Sequence, residues 1–178
     1  MSTDSLLTAS EEQQLIHLLG KVGPLMSMEV YNAIAAKFVL TAIETVVIRS
    51  VGGHIEVLLL RRSPEDVHYR NMWHSPGTML RDADAPRECD VPGTLAEAFN
   101  RVQNNEIGCQ FQEPPIFVNY VFQRTPRGSE NGLVFLCKLA GDPKEGQFFR
   151  IDKLPENLMQ HHRWIIELAA QYYRERVG

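Results

Sequence analysis

No apolar run in the chain approaches the ~18 residues that a membrane-spanning helix needs, so a membrane protein of that kind is excluded. No basic stripe is present and the formal net charge is −4, which removes the electrostatic footprint of a general nucleic-acid or membrane-surface binder. Neither partner is expected. Cysteine is scarce: Cys89, Cys109 and Cys137 form no C-x-x-C pair and leave one thiol over in any disulfide scheme. They read as reduced thiols, without a zinc site. The first residues lack a basic region followed by an apolar stretch and a cleavage site, so a cytoplasmic protein is expected. Repeats and low-complexity segments are also missing.

What remains is a chain of 178 residues, 44% hydrophobic and 22% charged, enough for one globular domain with a sizeable core. Residues 10–19 carry a Ser cap, an apolar stripe and Gly20 as terminator, and so predict a short helix. After Gly23-Pro24 a second helix begins at Ser27 and places Val30, Tyr31, Ile34 and Phe38 on one face. These helices make an N-terminal extension over 1–38, packed on a main domain over 39–178. The extension is suited to homodimer contacts or to covering one sheet edge.

From Ala42 the pattern turns β-branched. TVVIR at 45–49 and HIEVLLLRR at 54–62 flank Gly52-Gly53, which signals a hairpin. Residues 63–93 read as a long loop around a short strand near Trp73, and such a loop invites a functional role. Thr94 to Ile107 predicts a helix with a Thr94/Glu97 capping box and Gly108 as stop. Strands follow at about 115–124, 132–139 and 147–151, and a terminal helix runs from about Pro155 to Arg176. The order predicts an α/β fold, one mixed sheet covered by helices.

The chemistry concentrates in residues 73–108. Leu95, Ala98, Phe99 and Val102 form an apolar stripe, and at 100° per residue Glu106 falls about 20° from Phe99. A carboxylate thus continues a buried seam in a last helical turn, where the helix dipole also disfavours it. Burial there requires a cation or good donors. A Mg²⁺ ion would compensate it, with Gly77 offering its carbonyl from the facing loop; the other reading is a frayed turn that lets Glu106 reach water.

This segment resembles the loop–helix–loop of Nudix hydrolases, whose pattern is G-x5-E-x7-R-E-U-x-E-E-x-G-U, with U a bulky aliphatic. Counting back from Gly108 places Glu106 on the second of the adjacent glutamates and Arg101 on the motif arginine. Asn105, Val102 and Thr78 then stand on a glutamate, a glutamate and the motif glycine. Asp84 replaces the early glutamate only across an insertion, since it lies 17 positions before Arg101 where the family has eight. A one-residue bulge would restore Val102 to the aliphatic position and leave asparagines on both adjacent-glutamate positions. Neither register supplies the carboxylates for a two-metal site. TLAEAFNRVQNNEIG is more similar still to the corresponding helix of GDP-mannose mannosyl hydrolases, a Nudix branch with one metal and a histidine base. The turn at 125–131 has no histidine, so that base does not transfer.

The resemblance covers roughly 42–176 and implies a Nudix-like α/β/α sandwich. It implies a Mg²⁺- or Mn²⁺-dependent hydrolase of a nucleoside diphosphate-linked small molecule, such as a nucleotide sugar. The alternative is a Nudix-fold module, catalytically impaired, that binds a nucleotide or a protein. The candidate catalytic residues are Glu106, Asp84 and His74; the metal would sit on Glu106 and Gly77. Arg61, Arg62, Arg101 and Trp73 are the candidate substrate contacts.

Each has a plainer reading. Arg61 and Arg62 end a strand, where one guanidinium meets phosphate or both are solvated. Arg101 braces its helix, and His74 is a structural strand histidine. Asp82, Asp84, Glu88 and Asp90 form a charged surface loop, Glu130 lies on the opposite turn, and Tyr69, Trp73 and Phe122 either stack a nucleobase or pack the core.

Overall fold

The computed structural model describes residues 7–23, 26–88 and 92–176; the expectations placed on Pro24, Cys89 and Asp90 lie outside these. The order of elements is α1 (Ala9–Leu19), α2 (Met28–Ala35), β1 (Leu40–Val51), β2 (His54–Arg61), β3 (Trp73–His74) and β4 (Gly77–Met79). Then come α3 (Ala96–Arg101), β5 (Ile116–Thr125), β6 (Gly128–Cys137), β7 (Gln147–Arg150) and α4 (Gln160–Arg176).

The strands form one mixed sheet in the order β3-β2-β1-β6-β5, with β4 joined to β1 and β7 to β2. β1 runs parallel to β6 over residues 40–47 and antiparallel to its other neighbours. One edge of β1 is shared: β4 pairs with residues 42–44 and β2 with 48–51. Between them Thr45 turns both its N–H and its hydroxyl to the Pro76 carbonyl, at 2.9 and 2.8 Å.

Alternation along the strands gives the sheet two apolar faces. Val46, Ile48, Val57, Leu59, Val134 and Leu136 meet Ile165, Ile166, Ala169 and Ala170 of α4. Ile43, Val47, Leu58 and Phe135 meet Ala98, Val102 and Ile107 on the opposite side. The mixed sheet between helices is the α/β/α arrangement that the sequence predicts. In the extension, α2 buries Ala35, while every described residue of α1 is exposed, Leu15, Ile16, Leu18 and Leu19 included.

Four boundaries differ from expectation. β1 starts at Leu40, because its pairing with β6 begins there. The β5–β6 turn tightens to Thr125–Gly128, with the Thr125 hydroxyl accepting the Arg127 N–H at 3.2 Å, so most of TPRGSEN is strand. α4 starts at Gln160 instead of Pro155, since the preceding segment lies along β3: Trp73 N–H donates to Asn157 and Met159 N–H to Trp73. The Thr94/Glu97 box does not form; Thr94 caps only the Ala96 N–H, at 3.4 Å.

The helix after Thr94 also changes character. It is α-helical over Ala96–Arg101 and π-helical over Val102–Ile107, ending at Gly108 with φ 67°. A π segment accommodates one extra residue in a helix, so the last turns are wider than an α-helix.

Candidate functional site

A cleft of about 730 Å³ opens where β1 passes from β4 towards β2. Its floor includes Glu44, Arg62, His74, Ser75, Gly77, Glu106 and His162, and its far wall includes Met28, Tyr31 and Ile34 of α2.

Two carboxylates meet at Gly77. Pro76 and Leu80 bond to β1 through their backbones, so Gly77 and Met79 between them turn theirs to the open edge of β4. There the Gly77 N–H donates to Glu106 Oε2 at 3.0 Å, and the Met79 carbonyl accepts from Arg101 at 3.1 Å. The Gly77 carbonyl points to the same edge as Glu106. Glu44 arrives from β1: a Cβ on Gly77 would stand 2.8 Å from Glu44 Oε2 and 2.6 Å from the Ile43 carbonyl. Glycine is therefore required at 77, and a Cβ on Gly132 would press within 3.3 Å of the Glu44 side chain.

Both acids are pushed above the ordinary carboxylate range. Burial raises Glu44 to about 8, reinforced by Glu130 and Glu106 and opposed by Arg127 and Arg62. Glu106 is raised by burial, against the Gly77 N–H and Arg62. Two desolvated carboxylates sharing a glycine suit a hard divalent cation, which takes one or two carboxylates and fills its shell with water and phosphate oxygens. Among the described residues no three His, Cys, Asp or Glu side chains form a metal cage.

The imidazoles beside them are neutral. His74 Nδ1 donates to the Ser75 carbonyl at 2.8 Å, leaving Nε2 as acceptor, and burial lowers its pKa to about 3. His162 Nδ1 accepts the Ser75 N–H at 3.2 Å and lies 3.9 Å from Glu44 Oε2; burial holds it far below its usual range.

The remaining candidates divide. Arg62 lines the cleft, its Nε buried without a hydrogen-bond partner and Asp66 3.9 Å away. Arg61, on the alternate face, is exposed and bonds the Asn71 carbonyl at 3.3 Å. Trp73 packs edge-on against Phe149, their centroids 4.9 Å apart, as a core residue. Arg101 is a brace: it grips both oxygens of Asp84 and the Met79 carbonyl, fastening α3 to β4 and to the short helical turn at 82–84. Both oxygens of Asp84 are thereby taken up by Arg101, and its pKa is lowered chiefly by that bond. Glu130 is buried against Arg127. Tyr69 is buried with Arg127 over its ring, and Phe122 is exposed on β5.

Sequence reasoning missed Glu44. Its signal was a lone carboxylate in the run Ala42–Ile48, every residue of which is buried. It also missed Tyr31 as a cleft residue.

No protein-family model and no curated relative matches the chain. Solved structures do. A MutT Nudix hydrolase from Burkholderia pseudomallei superposes with a TM-score of 0.55 at 19% identity, over 74% of this chain and 98% of its own. The Nudix domain of Shewanella oneidensis NrtR, solved with ADP ribose, gives 0.58 at 18%, over 97% and 100%. The Ap4A hydrolase of C. elegans gives 0.53 at 16%, over 76% and 98%. The chain has the Nudix fold.

Proposed function

We propose that the protein hydrolyses a nucleoside diphosphate linked to another group, a nucleotide sugar or a related compound, with one Mg²⁺ or Mn²⁺ held by Glu106 and the Gly77 carbonyl. The observation that carries this reading is the pair of buried carboxylates, Glu44 and Glu106, converging on Gly77 with Arg62 in the same cleft. When bound, the cation neutralises diphosphate charge and acidifies water. Arg62 orients the diphosphate through its guanidinium fork. Glu44, rather than His74 or Asp84, takes the proton of the attacking water, and His74 Nε2 accepts a hydrogen bond from water or substrate. The solved relatives named with ADP ribose and Ap4A support a nucleotide as ligand.

The test is turnover of nucleotide sugars, dinucleotides and nucleoside triphosphates with Mg²⁺ or Mn²⁺. At least one is expected to be hydrolysed, and Glu106→Gln to abolish it; silence across the panel would sink the proposal.

A second reading, a Nudix-fold module that binds a nucleotide without cleaving it, is favoured by one observation. Asn104 and Asn105 are exposed, so among the described residues Glu106 is the one carboxylate that this helix turns to the cleft. That reading predicts thermal stabilisation by nucleotide without product. Hydrolysis that disappears with Glu106→Gln rules it out.

A further inference from the structure

The far wall of the cleft holds polar groups that neither the carboxylates nor the brace account for. Among the described residues, the Tyr31 hydroxyl of α2 is buried without a hydrogen-bond partner, and so is Nε of Arg62. Arg127 is paired with Glu130, its Nε 3.1 Å from Oε1 and one N–H of its fork reaching Oε2 at 3.3 Å. Buried donors left unpaired are costly, and native structures keep few of them without a ligand, an ion or water to complete them. Here two guanidiniums and a phenol with spare donors line one cavity, Tyr31 from α2, Arg62 from the end of β2 and Arg127 from the β5–β6 turn.

The wall is anchored. A Cβ on Gly128, whose φ is 142°, would collide with the Ala35 carbonyl, so α2 rests directly on the β5–β6 turn. Asn32 is held by His68 Nε2 at 3.3 Å, which ties α2 to the loop after β2. Tyr31 is thus placed over the arginines by contacts on both sides.

We propose that Tyr31, Arg127 and Arg62 form an anion subsite that receives a phosphate group of the substrate, so that the N-terminal helix α2 is a wall of the binding site. The phosphate oxygens accept from the Tyr31 hydroxyl and the two guanidinium forks, a pairing that planar forks favour. This deepens the hydrolase reading and rests on it for the identity of the substrate, but binding itself does not require turnover.

The experiment is calorimetric titration of the full chain with inorganic pyrophosphate, without added divalent cation, for the parent, Tyr31→Phe and Tyr120→Phe. Tyr31→Phe removes one oxygen and is expected to keep the parent's melting temperature within a few degrees while weakening pyrophosphate about tenfold, the worth of one hydrogen bond to a charged group. Tyr120→Phe, which removes the same phenol oxygen from an exposed position on β5 outside the cleft, keeps the parent's affinity. Equal affinity of Tyr31→Phe and parent overturns the subsite, as does a parent that binds no pyrophosphate. Absence of turnover with a Tyr31-dependent affinity defeats the hydrolase alone and leaves the subsite standing. Arg127→Lys gives a second reading: it retains the charge beside Glu130, loses the fork, and is expected to weaken binding at least as much.

Discussion

The two helices that cover the sheet differ in regularity and in what they bury. α4 runs as a regular helix for 17 residues and hides His162, Ile165, Ile166, Ala169 and Ala170, four of them apolar or small, against one sheet face. The α3 segment has six α-helical residues followed by six π-helical ones, and on its buried side it mixes Ala98, Val102 and Ile107 with Gln103 and Glu106. The Gln103 side chain accepts the Phe111 N–H at 2.7 Å, which satisfies one of these polar groups; Glu106 has only the Gly77 N–H. Stability is concentrated where the backbone is regular and the burial apolar, and chemistry where a widened helix turns a carboxylate to a strand edge.

That contrast is sharpest at Glu106. Glu106→Gln is expected to lower kcat/KM by at least about a thousandfold, roughly 4 kcal/mol of transition-state stabilisation, while leaving the urea midpoint unchanged or slightly raised. A large loss of stability would show that the carboxylate is structural. On the other helix, Ile165→Ala empties a fully buried position and is expected to cost about 2–5 kcal/mol by urea unfolding. Its turnover per folded molecule should match the parent's, and a selective loss of activity would erase the distinction.

Glu44 offers a test through pH. Its folded pKa is raised from 4.5 to about 8, so the folded state keeps a proton that the unfolded state gives up. The contribution to stability is full below pH 4.5 and is lost as pH rises to about 8. Over that window, in the absence of divalent cations, the loss is roughly 2–4 kcal/mol. Glu44→Gln should flatten this part of the profile and be the more stable protein at pH 8; an unchanged slope would place the titration elsewhere. The smallest effect is expected at the brace, where Asp84→Asn leaves Arg101 with the Met79 carbonyl and costs about 1 kcal/mol in a thermal melt.

The fold was legible because its signals are periodic and local. The glycine hairpin, the alternating strands and the order of helices follow from spacing alone. The centre of the site was legible in part: Glu106, Gly77 and Arg62 lie where the helix stripe, the loop and the strand end place them. Glu44 was hidden because a carboxylate inside a β-branched run reads as an interruption until β6 and α4 are seen to bury it. Arg101 and Asp84 bind one another across the loop before α3, a pairing that spacing alone does not reveal. The π segment left no signal in the spacing, where the helix reads as continuous from Thr94 to Ile107.

The divided edge of β1 explains where the cleft lies. A strand that exchanges one neighbour for another halfway along must let the sheet part at the exchange, and Thr45 with Pro76 marks that place. The crevice is thus a property of connectivity, renewed by backbone pairing whatever side chains line it. The floor of the cleft is fixed by the sheet, and its side chains supply the chemistry.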